Sequence, residues 1–104
     1  MQSRVRGWNL EDYADDIAIL ALETVWQRVV HRVGMMSLAE ARGYIRARGG
    51  IVISRETDNL VARMGELGAH RLQILEMASD LLIDRLERRV FEAQRSALPR
   101  RRAA

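Results

Sequence analysis

The sequence predicts an all-α protein, a small bundle of three main helices that pairs into a dimer. Three observations lead there. Apolar residues recur every three or four positions along most of the 104 residues, which is the period of a helix face. The single Pro stands at position 99, so no proline removes a helical hydrogen bond before it. A run of three β-branched residues occurs only at Ile51-Val52-Ile53, which leaves a sheet without a second strand.

The first helix is predicted over about 9–33. Asn9 is a favoured N-cap, and Glu11, Asp12, Asp15 and Asp16 place negative charge at the positive pole of the helix. Tyr13, Ile17, Ala21, Val25, Val29 and Val33 keep helical spacing. From Ile17 to Leu22 apolar character runs round the whole cylinder, which predicts burial on several sides. Arg28, His31 and Arg32 suit the C-terminal pole, and Gly34 supplies the stop. Trp26 falls on the buried stripe. Trp8, just ahead of the cap, is placed to staple onto an apolar residue about a turn into the helix or to reach a partner.

The second helix is predicted over about 37–48. Ser37 and Glu40 have capping-box spacing, and Gly49-Gly50 reads as the end. Leu38, Ala41, Tyr44 and Ile45 form its apolar stripe. Ala39, Gly43 and Ala47 form a stripe of small residues that would let a neighbouring backbone come close. Ile51–Ile53 reads as a short strand or an extended linker, and the lack of a partner strand favours the linker. Ser54 or Thr57 then caps the next helix.

The third helix is predicted over about 55–97. Leu60, Met64, Leu67, Leu75, Ala78, Leu82, Leu86, Val90, Ala93 and Ala97 track one face, and Leu72, Ile74, Met77, Leu81 and Ile83 widen it until the middle is apolar nearly all round. Gly65 and Gly68, each costing about 1 kcal/mol against Ala, mark the place where the segment would break in two. Pro99 ends the element. Residues 1–98 read as one helical domain and 99–104 as a disordered basic tail. Unbroken from Thr57 to Leu98, the helix would be roughly 60 Å long at 1.5 Å per residue. A compact domain of this size has a radius of gyration near 13 Å. Two shorter helices cannot cover such a rod, so either the glycines bend it back or Leu75, Leu82, Leu86 and Val90 form a self-association face covered by another chain, with a dimer the simplest closed assembly.

Composition narrows the chemistry. There is no Cys and there are only two His, so disulfides and thiolate chemistry are excluded and no metal or cofactor is predicted. Glu11 with Asp15 and Asp12 with Asp16 are i,i+4 pairs, but acids in the first turns are the usual dressing of a helix start, and in place of the Glu-x-x-His spacing of a di-metal bundle the chain offers only Glu66-x-x-x-His70. Asp80 and Asp84 read either as solvent-facing positions or as partners for arginines on a neighbouring helix. No local spacing suggests a catalytic triad or a phosphate-binding glycine loop. The longest apolar run, Ile17–Leu22, is far short of the roughly 20 residues that span a bilayer. No signal-peptide pattern follows Arg4 and Arg6, and the chain is read as cytoplasmic.

The formal charge is +3 and all 17 basic residues are Arg. By blocks the net charge is −1 over 1–36, +2 over 37–50, −3 over 51–84 and +5 over 85–104. Arg85, Arg88, Arg89 and Arg95 share part of a helix face and lead to Arg100, Arg101 and Arg102, a stripe able to track phosphates. Ile53-Ser54-Arg55-Glu56-Thr57 is similar to the opening of the recognition helix in catabolite-activator-type helix-turn-helix regulators. The Ser37–Arg48 helix and its linker are longer than that motif allows, and Asp58 would face phosphate, so the motif is not predicted. The expected function is a non-enzymatic oligomerisation or protein-interaction module, with a dimer or another protein as partner. The alternative is a nucleic-acid-binding regulator using the C-terminal arginines.

Overall fold

The structure, a computed structural model, describes residues 7–97. They form α1 (Leu10–Val33), α2 (Leu38–Arg63), a six-residue 3-10 turn (Gly65–His70) and α3 (Arg71–Ala97). The chain runs up, down and up, and each helix packs on the other two. The expected all-α, three-helix architecture is present, with two boundaries moved. The tail expected at 99–104 lies outside the described residues.

α1 begins as its sequence dictates. The Asn9 side chain accepts from the Asp12 amide at 3.0 Å, and Asp12 accepts from the Asn9 amide at 3.0 Å, so two free donors are satisfied reciprocally. Trp8 stacks on Tyr13 with ring centroids 5.1 Å apart, the staple that closes the entry turn. Tyr13, Ala14, Ile17, Ala18, Ala21, Val25, Val29 and Val33 are buried. Ile19 and Leu20 are not, at 56% and 54% exposed. The expectation of burial all round this turn therefore fails, because a helix in a three-helix bundle meets neighbours on two sides only. Trp26 is half-buried, at the rim of the core rather than inside it.

α2 starts at the predicted capping box, Ser37 with Glu40, at 2.9 and 3.1 Å. It then runs through Gly49-Gly50 and Ile51–Ile53 to Arg63, so the stop and the linker expected there are corrected. Two interior glycines cost about 1 kcal/mol each, but the continued helix buries Val52, Ile53 and Leu60. Each such side chain is worth about 1.5–3 kcal/mol, and burial wins. Thr57 is mid-helix and buried, its hydroxyl donating to the Ile53 carbonyl at 2.7 Å, so it caps nothing. The small residue that permits close approach is Gly49, against Leu82 and Val25, while Gly43 has open space around it.

The chain breaks where the paired glycines stand. Met64, with φ −131° and ψ 78°, leaves the helix, and Leu67 plugs the end of the bundle in the 3-10 turn. α3 then returns along α1 and α2. Leu82, Leu86 and Val90 are at most 1% exposed and Leu75 is half-buried. The side chains expected to form a self-association face thus lie in the chain's own core or at its edge. Folding back at residues 64–70 shortens the rod to the 27 residues of α3 and lets two helices cover it. The result is still elongated, 59 × 25 × 18 Å with a radius of gyration of 16.4 Å. Among the described residues no helix is long and apolar enough to cross a membrane.

Candidate functional site

Three helices make three seams, and two are closed by ion pairs. Between α1 and α3, Arg85 bonds Asp15, and Arg89 meets Glu23 at 2.5 Å while its guanidinium lies 5.5 Å from the Trp26 ring centroid. Between α2 and α3, Arg42 bonds Glu87 and stands 3.6 Å from Asp84, and Arg46 stands 4.0 Å from Asp80. Lower on that seam Arg71 meets Asp58 at 2.7 Å and Ser54 at 3.2 Å. Asp80 and Asp84 stand beside arginines of a neighbouring helix while their side chains stay 72% and 63% exposed, so both readings open in the sequence apply. The hydrogen bond from Arg89 holds the Glu23 carboxyl below the usual glutamate value. The hydrogen bonds that Arg42, Arg71 and Arg89 donate to Glu87, Asp58 and Glu23 hold these arginines above the usual arginine value. Exposed pairs of this kind add little to stability; they mark which helix faces which.

The α1–α2 seam is different. Among the described residues no ion pair crosses it. It carries instead an open groove of about 280 Å³ lined by Arg28, His31, Arg32, Tyr44, Ala47, Arg48 and Ile51. Arg28 and Arg32 are four apart on α1; Tyr44, Arg48 and Ile51 are four and three apart on α2, so each set shares a helix face. Arg48 sits over the Tyr44 ring, 5.3 Å from its centroid. No carboxylate lines this groove, and the three guanidinium groups have no acidic partner among the described residues.

The predicted nucleic-acid stripe is split. Arg85 and Arg89 are committed to α1 carboxylates, whereas Arg88 and Arg95 are exposed, Arg95 lying 5.8 Å from the Phe91 ring centroid. Arg100, Arg101 and Arg102 lie outside the described residues. The Ile53–Thr57 segment is interior to α2, with no turn ahead of it. Of the acids near the start of α1, Asp12 is a cap and Asp15 an ion-pair partner. Glu11, Asp12 and Asp15 share an open groove of about 490 Å³ with Met77, Asp80 and Leu81. No group of three side chains suited to a metal occurs among the described residues.

The basic groove was not found from sequence. Its signal lies in two i,i+4 sets, Arg28/Arg32 and Tyr44/Arg48, the second continued by Ile51 only if the helix passes Gly49-Gly50. Compared with known proteins, the chain matches no family model, and no curated relative or solved structure matches it either.

Proposed function

We propose that this chain is a non-enzymatic helical interaction module that works by association with a second copy or with another protein, a two-fold pair being the favoured assembly. The observation that carries this is the separation of charge along the rod. Around the 34–37 turn, residues 22–53 and 78–97 hold nine arginines against six carboxylates. In the other half, residues 7–21 and 54–77, three arginines face eight carboxylates. Two such rods laid antiparallel set each basic half beside the partner's acidic half, and complementary charge of this kind guides encounter and register. Light scattering at micromolar concentration in low salt tests it. The expected mass is twice that of the chain, falling to one copy as salt screens the ends. One copy throughout, in low salt and at high concentration, rejects self-association.

Nucleic-acid binding is the second reading, favoured by the exposure of Arg88 and Arg95 on the outer face of α3, ahead of Arg100–Arg102. Its test is a salt titration of binding to mixed DNA and RNA. Removal of residues 99–104 with neutralisation of Arg88 and Arg95 is expected to abolish binding and flatten its salt dependence; unchanged binding removes this reading.

A further inference from the structure

The contrast between the three seams is the starting point. Five arginines stand on the α1–α3 and α2–α3 seams, at positions 42, 46, 71, 85 and 89, and every one has a carboxylate opposite. On the α1–α2 seam three arginines and a histidine line one groove with no carboxylate among them. Gathering like charges raises the energy of the folded chain, because guanidinium groups stay ionised at any accessible pH and repel one another. A bound anion reverses the sign of that contribution. We propose that the α1–α2 groove is a binding site for phosphate groups, in which Arg28, Arg32 and Arg48 are the hydrogen-bond donors.

The chemistry fits phosphate better than a carboxylate or a halide. Guanidinium presents a planar fork of donors that matches two oxygens of one phosphate. Forks arriving from two helices surround a tetrahedral anion, which has enough oxygens for all of them, as a planar carboxylate has not. Arg48 is steadied over the Tyr44 ring, so less of its freedom is lost on binding. Ala47 on the floor keeps the groove open between the longer side chains. Its volume of about 280 Å³ admits a phosphate or a diphosphate. The groove is open to solvent on one side, so the phosphate can belong to a small molecule or to the backbone of a nucleic acid.

The groove arginines are part of the basic half invoked for self-association, but the site needs no second copy, and its test reads residue shifts rather than mass. Isotope-labelled protein is titrated in low salt with inorganic pyrophosphate and, separately, with a short thymidine oligonucleotide. Backbone and arginine side-chain resonances are followed. Saturable shifts are expected at residues 28–32 and 44–51, with other helix faces unmoved. Arg32→Gln with Arg48→Gln is expected to weaken binding about ten-fold or more, the loss of charged hydrogen bonds. The charge-matched control, Arg55→Gln with Arg63→Gln, both exposed and outside the groove lining, should change it less than about two-fold. Response to both probes assigns the site to nucleic-acid phosphates as well as free ones; response to pyrophosphate alone assigns it to a small phosphate compound. Absence of saturable shifts in the seam with either probe overturns the proposal, as does an equal loss in the control. The shift map on unaltered protein decides the matter even where a variant folds poorly.

Discussion

A Cβ built on Gly49 would lie 3.1 Å from Cδ2 of Leu82, with the Val25 methyls at 3.6 and 3.8 Å on its other side. All three helices meet here, α2 offering no side chain so that α1 and α3 can reach in. Gly50, one residue on, meets nothing within 4 Å. Opposite outcomes are expected at adjacent positions. Gly50→Ala should stabilise the bundle by about 0.5–1 kcal/mol, the ordinary gain of Ala over Gly in a helix. Gly49→Ala should destabilise it by about 1 kcal/mol, because the crowding of a full core costs about 1–3 kcal/mol and exceeds that gain. Urea midpoints of the two variants check both signs.

Leu86 tests whether α3 serves the chain's own core or a neighbour's. It is fully buried within one copy, so Leu86→Ala is expected to cost about 2–5 kcal/mol through lost burial and a cavity. The loss should be the same at low and high protein concentration. A loss that vanishes on dilution would mean that the side chain is covered by a second copy instead.

The two capping boxes are separate devices at opposite ends of the rod, and their contributions are expected to add. Asn9→Ala and Ser37→Ala should each lower stability by about 1 kcal/mol. The double variant should lose the sum to within about 0.5 kcal/mol, since distant sites without shared partners are additive. Thr57→Ser, which keeps the hydroxyl bonded to the Ile53 carbonyl, should cost less than Thr57→Val, which removes that bond. Thermal or urea unfolding of the five variants measures these differences.

The bond between Glu23 and Arg89 gives stability a specific pH dependence. Glu23 is held below the usual glutamate value by that hydrogen bond, so the folded state favours its ionised form. Its contribution is therefore complete above the unfolded-state value of about 4.3 and is lost as pH falls through the lower folded-state value. Glu23→Gln should be less stable than the parent at neutral pH, and the gap should close in strong acid. An equal gap at both ends, read from paired urea titrations, would show that the carboxylate charge is not what the bond uses.

Most of the local structure was legible in the residues. Asn9 with Asp12 and Ser37 with Glu40 announce two helix starts through donors and acceptors three residues apart, and local geometry carries them out unaltered. The heptad-like recurrence of Leu82, Leu86 and Val90 marked a buried face correctly but not what would bury it. The end of α2 was misread, because Gly49-Gly50 has the local chemistry of a stop and only the packing of Val52, Ile53 and Leu60 against two other helices overrides it. The candidate groove stayed hidden for a related reason. Arg28 and Arg48 are twenty residues apart in the chain and look like any other solvated cations until α1 and α2 are set side by side.

The sequence by itself determined the helical class, the capping boxes at Asn9 and Ser37 and much of the buried face, and it left open whether Gly65 and Gly68 break the last segment. Those features depend on neighbours within a turn or two, where propensity and hydrogen-bond geometry dominate. Only the tertiary structure decided that α3 folds back onto its own chain, which arginines are neutralised across a seam and which are left facing an empty groove. Those are consequences of contacts between residues distant in sequence, and their energies arise only when the helices pack.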